Sequence, residues 1–269
     1  MRSVPLLSAV ILGIVEGLTE FLPISSTGHL ILASHLLGLE GPESKLFHIV
    51  IQLGAILAVC WAFRDRLFNA AAGVTTDPAA QRFFVNILLG FIPAAMAGAF
   101  LHRFIKEVLF SPWVVAVSLV GGGILILVIE RMRPRARIHH VEAMPLRTAL
   151  GIGCCQIVAM IPGVSRAGAT IMGALLLRVD RPVAAEFSFF LAIPTMLGAA
   201  AFDLYKNRAI LSADGALMIA VGFAVAFVAA LFVVRRLVEF VSKHGFGVFA
   251  WYRIAVGTIA LIGLWLLDT

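Results

Sequence analysis

The sequence predicts an all-α integral membrane protein with six transmembrane helices, two re-entrant helix pairs and inverted-topology repeats. Three observations carry that expectation: an apolar composition, six apolar runs long enough to cross a bilayer, and two apolar segments broken in the middle by Pro, Gly, Ser and charged residues. Of 269 residues, 61% are hydrophobic and 13% charged, with a mean hydropathy of +1.02. Soluble domains carry about a quarter charged residues. A soluble fold of this length would have to expose much of its apolar surface to water, so the bilayer is the natural solvent.

The six runs lie at about 46–63, 83–101, 113–130, 183–203, 215–234 and 248–267. Each is close to the ~20 residues that a 30 Å hydrocarbon core requires. The broken segments are 6–37 and 148–177. Their halves, at roughly 12–16 residues and 1.5 Å rise each, reach only about 18–24 Å. They read as re-entrant pairs, with irregular backbone sheltered by protein or beside a wet cavity. Met1 to Val15 resembles a signal peptide, but no A-x-A site follows and Glu16 begins a polar motif at once, so it reads as an uncleaved first helix. No soluble domain or linker interrupts the chain, and residues 1–269 form a single membrane domain.

The net charge of +6 would point to nucleic acid in a soluble protein. Here the basic residues sit in short loops between apolar runs, which argues for topology signals and phosphate contacts and against a nucleic-acid partner. Loops 64–82, 131–147, 178–182 and 235–247 hold most of the Lys and Arg, including Arg64, Arg66, Arg133, Arg135, Arg181 and Arg236. Arg253, just inside the last run, is left out of that balance. The basic side is expected to be cytoplasmic. Both termini then lie outside, segment 6–37 enters from outside, and 148–177 enters from the cytoplasm. Cys60, Cys154 and Cys155 fit no metal or haem spacing and read as small core residues.

The two broken segments are related at an offset of 140: Glu16 falls on Gln156, Ser25 on Ser165, Ser26 on Arg166, Gly28 on Gly168, and Phe47 on Phe187 in the next span. Broken segment followed by three spans occurs twice, in repeat one (about 1–130) and repeat two (about 148–269). With the expected orientation the halves insert oppositely, a design that places a binding site near the midplane.

The first break reads Glu16-Gly-Leu-Thr-Glu20-Phe-Leu-Pro23-Ile-Ser25-Ser26-Thr27-Gly28-His29. Glu16 and Glu20 share a helix face and repel, and an acid inside a membrane costs about 2.5–3.5 kcal/mol by insertion scales. A hard divalent cation, Mg²⁺ or Ca²⁺, would offset both terms with these two ligands and phosphate oxygens. A proton-sharing pair, or a helix face reaching the interface, are the other readings. After Pro23, Ser25, Ser26 and Thr27 offer N-cap hydroxyls, and a helix N-terminus at membrane depth is an anion site; pure capping competes. His29, whose imidazole titrates near neutral pH, suits proton transfer beside a nucleophilic serine.

The second break, Gln156 … Pro162-Gly-Val-Ser165-Arg166-Ala-Gly168-Ala-Thr170, repeats the plan and adds a guanidinium. Its fork matches phosphate oxygens; a purely structural salt bridge to Glu16 or Glu20 is the alternative. Together the two breaks suit a phosphorylated ligand whose hydrophobic part lies in lipid. His48 and Gln52 share a face and could line the cavity or pack between helices. Glu186 and Asp203 read as interfacial, and His35, His102, His139, His140 and His244 as loop or interface residues.

Both blocks, in this order and with this hydropathy pattern, resemble the signature blocks of the undecaprenyl-diphosphatase family of bacterial inner membranes, linked to bacitracin resistance. The resemblance covers the whole chain. It implies a divalent-cation-dependent phosphatase acting on a polyprenyl diphosphate lipid, with its site open to the periplasm. It matches Glu16 and Glu20 to the acidic motif, Ser26 and His29 to the catalytic loop, and Arg166 to the essential arginine. Ser25, Thr27, Gln156, Ser165 and Thr170 are the expected substrate contacts. The family commonly has Ser after that arginine, and here it is Ala167, with a minor hydrogen bond expected to be lost. In the expected reaction Ser26 attacks the terminal phosphorus with His29 as base, or His29 attacks, or His29 activates water. A lipid carrier is the rival of another class, but it has little use for a Ser–His pair. The other lipid-phosphatase superfamily lacks its distal His here. Oligomeric state is left open, a homodimer included.

Overall fold

The computed structural model describes residues 5–39, 42–104, 111–132, 135–206 and 216–268. Among these, eleven α-helices and no strand form: α1 Leu6–Thr19, α2 Ser26–Leu36, α3 Pro42–Ala62, α4 Arg64–Gly73, α5 Pro78–Phe104, α6 Pro112–Met132, α7 Leu146–Val158, α8 Arg166–Leu176, α9 Arg181–Lys206, α10 Ala216–His244 and α11 Gly247–Asp268. Five are long and apolar enough to cross a membrane, and six if α3 with α4 counts as one bent span. The outer faces are apolar, with Leu36, Phe100, Phe232 and Ile259 all more than 60% exposed. This is a polytopic membrane protein.

Two expected loops are largely helical. Residues 64–82 contain α4, bent 72° from α3, and α10 continues to His244, so that Arg235, Arg236 and Lys243 ride on a helix. The turn-forming residues that would stop a helix are missing before Gly245, which takes φ +69 and ends α10 as a left-handed glycine does. Loop residues 105–110 and 207–215, the side chains of His102, Arg103, Asp203 and Lys206, and that of Lys45, lie outside the described residues.

The broken segments do form short helix pairs, α1–α2 and α7–α8. They follow the same backbone course 140 residues apart: Ser25 and Ser165 precede the second halves with φ 71 and 76, and Gly38 and Arg178 follow them with φ 66 and 64. Positive φ at a serine is costly for an L-residue, and strain of this kind concentrates at functional turns.

Each broken segment packs on a long helix of the other half. Gly13 and Gly17 of α1 sit on Gly222 and Ala226 of α10; a Cβ on Gly17 would meet the Ala226 carbonyl at 2.5 Å. Gly153 of α7 makes the same close approach to Gly90 of α5. In lipid the apolar effect does not drive helices together, so small residues that bring backbones into van der Waals contact do so. A phenylalanine cluster fills the space beneath the breaks: Phe21 meets Phe189 edge to face at 5.4 Å, and Phe83 meets Phe190 at 5.0 Å.

Candidate active site between the two broken helices

α1 delivers Glu16 and Glu20 on one face, and Pro23 ends the run. Glu16 is fully buried; among the described residues no N–H or hydroxyl donor reaches its carboxyl oxygens, and the Glu20 carboxyl lies beside it. Glu20, 7% exposed, has both oxygens engaged. Its Oε1 accepts from Arg166 Nη2 at 2.9 Å, and its Oε2 accepts from the Ser26 hydroxyl at 2.5 Å. One carboxylate thus joins the first residue of α2 to the first residue of α8.

Arg166 is held on three sides. Nη1 donates to the Ser188 carbonyl at 2.9 Å, with the Ser188 hydroxyl at 3.4 Å. Nη2 holds Glu20, and the Phe21 ring lies 5.7 Å from Cζ. Its Nε–H is buried without an acceptor. Thr170 donates to the Arg166 carbonyl and meets the Ser188 hydroxyl at 2.7 Å. It braces Ser188 and has no hydroxyl to spare. Ser165 caps α8 by accepting from Gly168 N–H at 3.0 Å. Gln156 donates weakly to Thr195 at 3.4 Å, and its carbonyl oxygen is buried with no partner. Among the described residues, the Glu16 oxygens find no donor besides the neighbouring Glu20 carboxyl, and the Gln156 carbonyl and Arg166 Nε–H find no partner, a condition that demands explanation in a folded protein.

Several expected roles change. His29 does not meet Ser26. Its Nδ1 bonds the Ser25 carbonyl at 2.8 Å and its Nε2 the Tyr252 hydroxyl at 2.7 Å. A carbonyl only accepts, so Nδ1 carries the proton, and in the neutral ring Nε2 accepts from Tyr252. The group within reach of the Ser26 proton is Glu20. Ser25 makes no side-chain cap; its carbonyl instead accepts from the His29 N–H and from His29 Nδ1. Thr27 is exposed between buried Ser26 and Gly28 and stays out of the cluster. Ala167 is fully buried in the apolar core; the neighbouring Ser165 and Arg166 keep their bonds without help from position 167. Of the two readings for His48, the structure shows a bond from α3 to Ser34 of α2 at 2.8 Å, as packing between helices requires. Glu186 pairs with Arg66 at 2.6 Å.

Ser188, Tyr252 and Arg253 join the site although the two sequence blocks do not contain them. A serine or tyrosine in an apolar span carries no signal of its own. Arg253 did carry one, because a charge inside a membrane span is expensive and marks function by default.

A divalent cation can be tested against the donor set. Among the described residues no group of three or more His, Cys, Asp and Glu could hold a metal. Mg²⁺ commonly uses one or two carboxylates and takes its remaining ligands from water and substrate phosphates. The two free oxygens of buried Glu16, one turn from Glu20, fit that requirement.

Fold and site define an integral membrane protein with a buried carboxylate–hydroxyl–guanidinium centre between two helix N-termini, suited to phosphate chemistry on a lipid. Residues 9–259 match the family described as bacitracin resistance protein BacA, and the chain belongs to that family. It is 58% identical to undecaprenyl-diphosphatase 2 of Paramagnetospirillum magneticum over 257 residues, 96% of this chain and 98% of that one. It is also 58% identical to undecaprenyl-diphosphatase of Sphingopyxis alaskensis (97% and 98% covered) and 53% identical to that of Rhodopseudomonas palustris (96% and 97%).

Proposed function

We propose that this protein hydrolyses undecaprenyl diphosphate to undecaprenyl phosphate and phosphate in the bacterial inner membrane, recycling the carrier lipid for cell-wall polymer synthesis. Membership of the family and the names of its relatives support the substrate. The observation that carries the chemistry is Glu20 bridging Ser26 and Arg166 at the meeting of two half-helices. The bias of basic residues supports a cytoplasmic face at α4 and at the end of α10. The α1–α2 break then opens to the periplasm, and the two halves insert oppositely.

Ser26 Oγ attacks the terminal phosphorus while its proton passes to Glu20, to which it already donates. The bond from phosphorus to the bridging oxygen breaks, and the polyprenyl monophosphate leaves. Arg166, with an Nε–H to spare, and the N–H groups opening α2 and α8 take up the negative charge that spreads over the phosphoryl oxygens. Water then attacks the phosphoserine and passes a proton to His29 Nε2 once Tyr252 yields it; the bond from phosphorus to Ser26 Oγ breaks, inorganic phosphate leaves, and Ser26 takes back the proton held by Glu20. Glu16 and Glu20 would hold Mg²⁺ or Ca²⁺, which when bound supplies charge neutralisation for the diphosphate. Gln156, with its free carbonyl oxygen, and Ser165 are the contacts at the second break.

The test is phosphate release by purified protein from farnesyl or undecaprenyl diphosphate, with and without EDTA, for wild type and Arg166→Ala. Metal-dependent release that the substitution abolishes supports the reading. Substrate binding without release under any metal would instead indicate a carrier. Acid quench followed by peptide mapping distinguishes phospho-Ser26 from phospho-His29.

A further inference from the structure

We propose that Arg253 is a positioning residue for this reaction: from α11 it clamps the turns of both broken helices and so sets the distance between Ser26 and Arg166. The proposal rests on the site reading above. Arg253 is 1% exposed, and all five of its N–H groups go to backbone carbonyls. Nε donates to Leu119 at 3.3 Å, Nη1 to Pro23 at 3.0 Å and Val164 at 2.8 Å, and Nη2 to Ser118 at 3.0 Å and Gly163 at 2.9 Å. No carboxylate is among its partners. A guanidinium buried at membrane depth without an acid is costly, and only a full set of acceptors offsets that cost.

The identity of the acceptors gives the arrangement its purpose. Pro23 follows the end of α1, and Gly163 and Val164 follow the end of α7. These carbonyls lie in the turns between the half-helices, outside any helical hydrogen-bond ladder, and when buried they need donors. One cation satisfies both turns at once. Ser26 begins α2 three residues after Pro23, and Arg166 begins α8 two residues after Val164. Holding those carbonyls therefore holds both helix N-termini, with Glu20 between them. The remaining two bonds tie the clamp to α6.

The surroundings are cut to fit. A side chain on Gly122 of α6 would overlap Arg253 Nη2. Gly163 has φ +91, and a Cβ there would press on the Val115 carbonyl. Lysine cannot replace the clamp, because its three donors radiate from a single nitrogen and cannot serve three chain segments.

The experiment uses full-length protein in detergent: wild type, Arg253→Lys and Gly122→Ala. Hydrogen exchange is followed in peptides covering 20–28 and 160–168, beside steady-state phosphate release and thermal melting. Gly122→Ala keeps the arginine and its charge and crowds Nη2, so it decides the matter should Arg253→Lys not fold. A misplacement of about 1 Å costs about 100-fold in rate. The expected result is faster exchange in both turns together and a kcat lower by about that factor, with KM changed by less than about threefold. Folded variants with unchanged exchange in both turns, or with wild-type kcat per folded molecule, would overturn the proposal. Wild type releasing no phosphate would sink the phosphatase reading instead, and exchange in the two turns would then decide Arg253 by itself.

Discussion

Replacing Arg166 by lysine is the sharpest probe of the site, because it preserves the charge and removes the geometry. Alanine is a poorer choice: it would leave Glu20 buried without its counter-cation, a defect costing about 3–5 kcal/mol in stability. The arginine spends Nη1 on Ser188 and Nη2 on Glu20, and keeps Nε–H unspent in a buried position. A lysine ammonium can hold Glu20 and reach toward Ser188, but it then has no oriented donor for the phosphoryl oxygens. Loss of one preorganised donor to a developing oxyanion costs about 10²–10³ in kcat, or about 2.7–4 kcal/mol. The lost stacking on Phe21, at 5.7 Å, subtracts about 0.5–1 kcal/mol of stability, small enough for the protein to stay folded. The assay is phosphate release from farnesyl diphosphate, with melting as the control for folding. A folded Arg166→Lys protein within about threefold of wild-type kcat/KM would refute the claim that the fork geometry matters.

Three further outcomes follow from other parts of the molecule. Glu16→Leu removes a fully buried carboxyl whose only neighbour among the described residues is another acid, Glu20; it should raise the unfolding free energy by about 1–3 kcal/mol while abolishing metal-dependent turnover, read by melting and by phosphate release across an Mg²⁺ titration. Tyr252→Phe deletes the hydroxyl that, with the Ser25 carbonyl, orients the His29 ring; the lost orientation outweighs the freeing of Nε2, so we expect kcat to fall about 10-fold with KM little changed and phosphorylated protein to accumulate under rapid quench. Burial pushes the Glu142 carboxyl up, but two hydrogen bonds from Arg66 bring it below its ordinary value of 4.5. Its contribution is therefore complete above pH 4.5 and lost as pH falls through the lower folded value. Both side chains are about a third exposed, so the increment is at most about 1 kcal/mol. Arg66→Met should remove this acid-dependent part of the melting curve, and a wild-type melting temperature that is flat from pH 6 to 3 would argue against it.

Much of the architecture was legible because the bilayer imposes long-range rules on short-range patterns. Run length marked the spans, and Pro23, Pro162 and the clustered Gly and Ser marked the breaks. Loops 64–82 and 235–247 were misread because a basic, partly polar stretch at a membrane surface can be helical without any apolar face long enough to announce it. At the site, Glu16, Glu20, Ser26 and Arg166 stood out because charged and hydroxyl side chains are expensive in an apolar run. Their partnerships did not. Ser26 bonds Glu20 six residues earlier, while His29, the expected base, turns to Tyr252 across 223 positions of chain.

Composition and local pattern were enough to establish that this chain belongs in a membrane, that two of its apolar segments break in the middle, and which side chains the breaks carry. Those features follow from local solvation and helix-stop chemistry, which act on neighbours in the chain. Packing between distant helices is what makes one carboxylate join both breaks, lets Ser188 and Thr170 aim the arginine, and lets Arg253 gather carbonyls from three segments. Each of these is a hydrogen bond between residues far apart in the chain, and its partner is chosen by which helices pack together, through small-residue contacts such as Gly17 on Ala226.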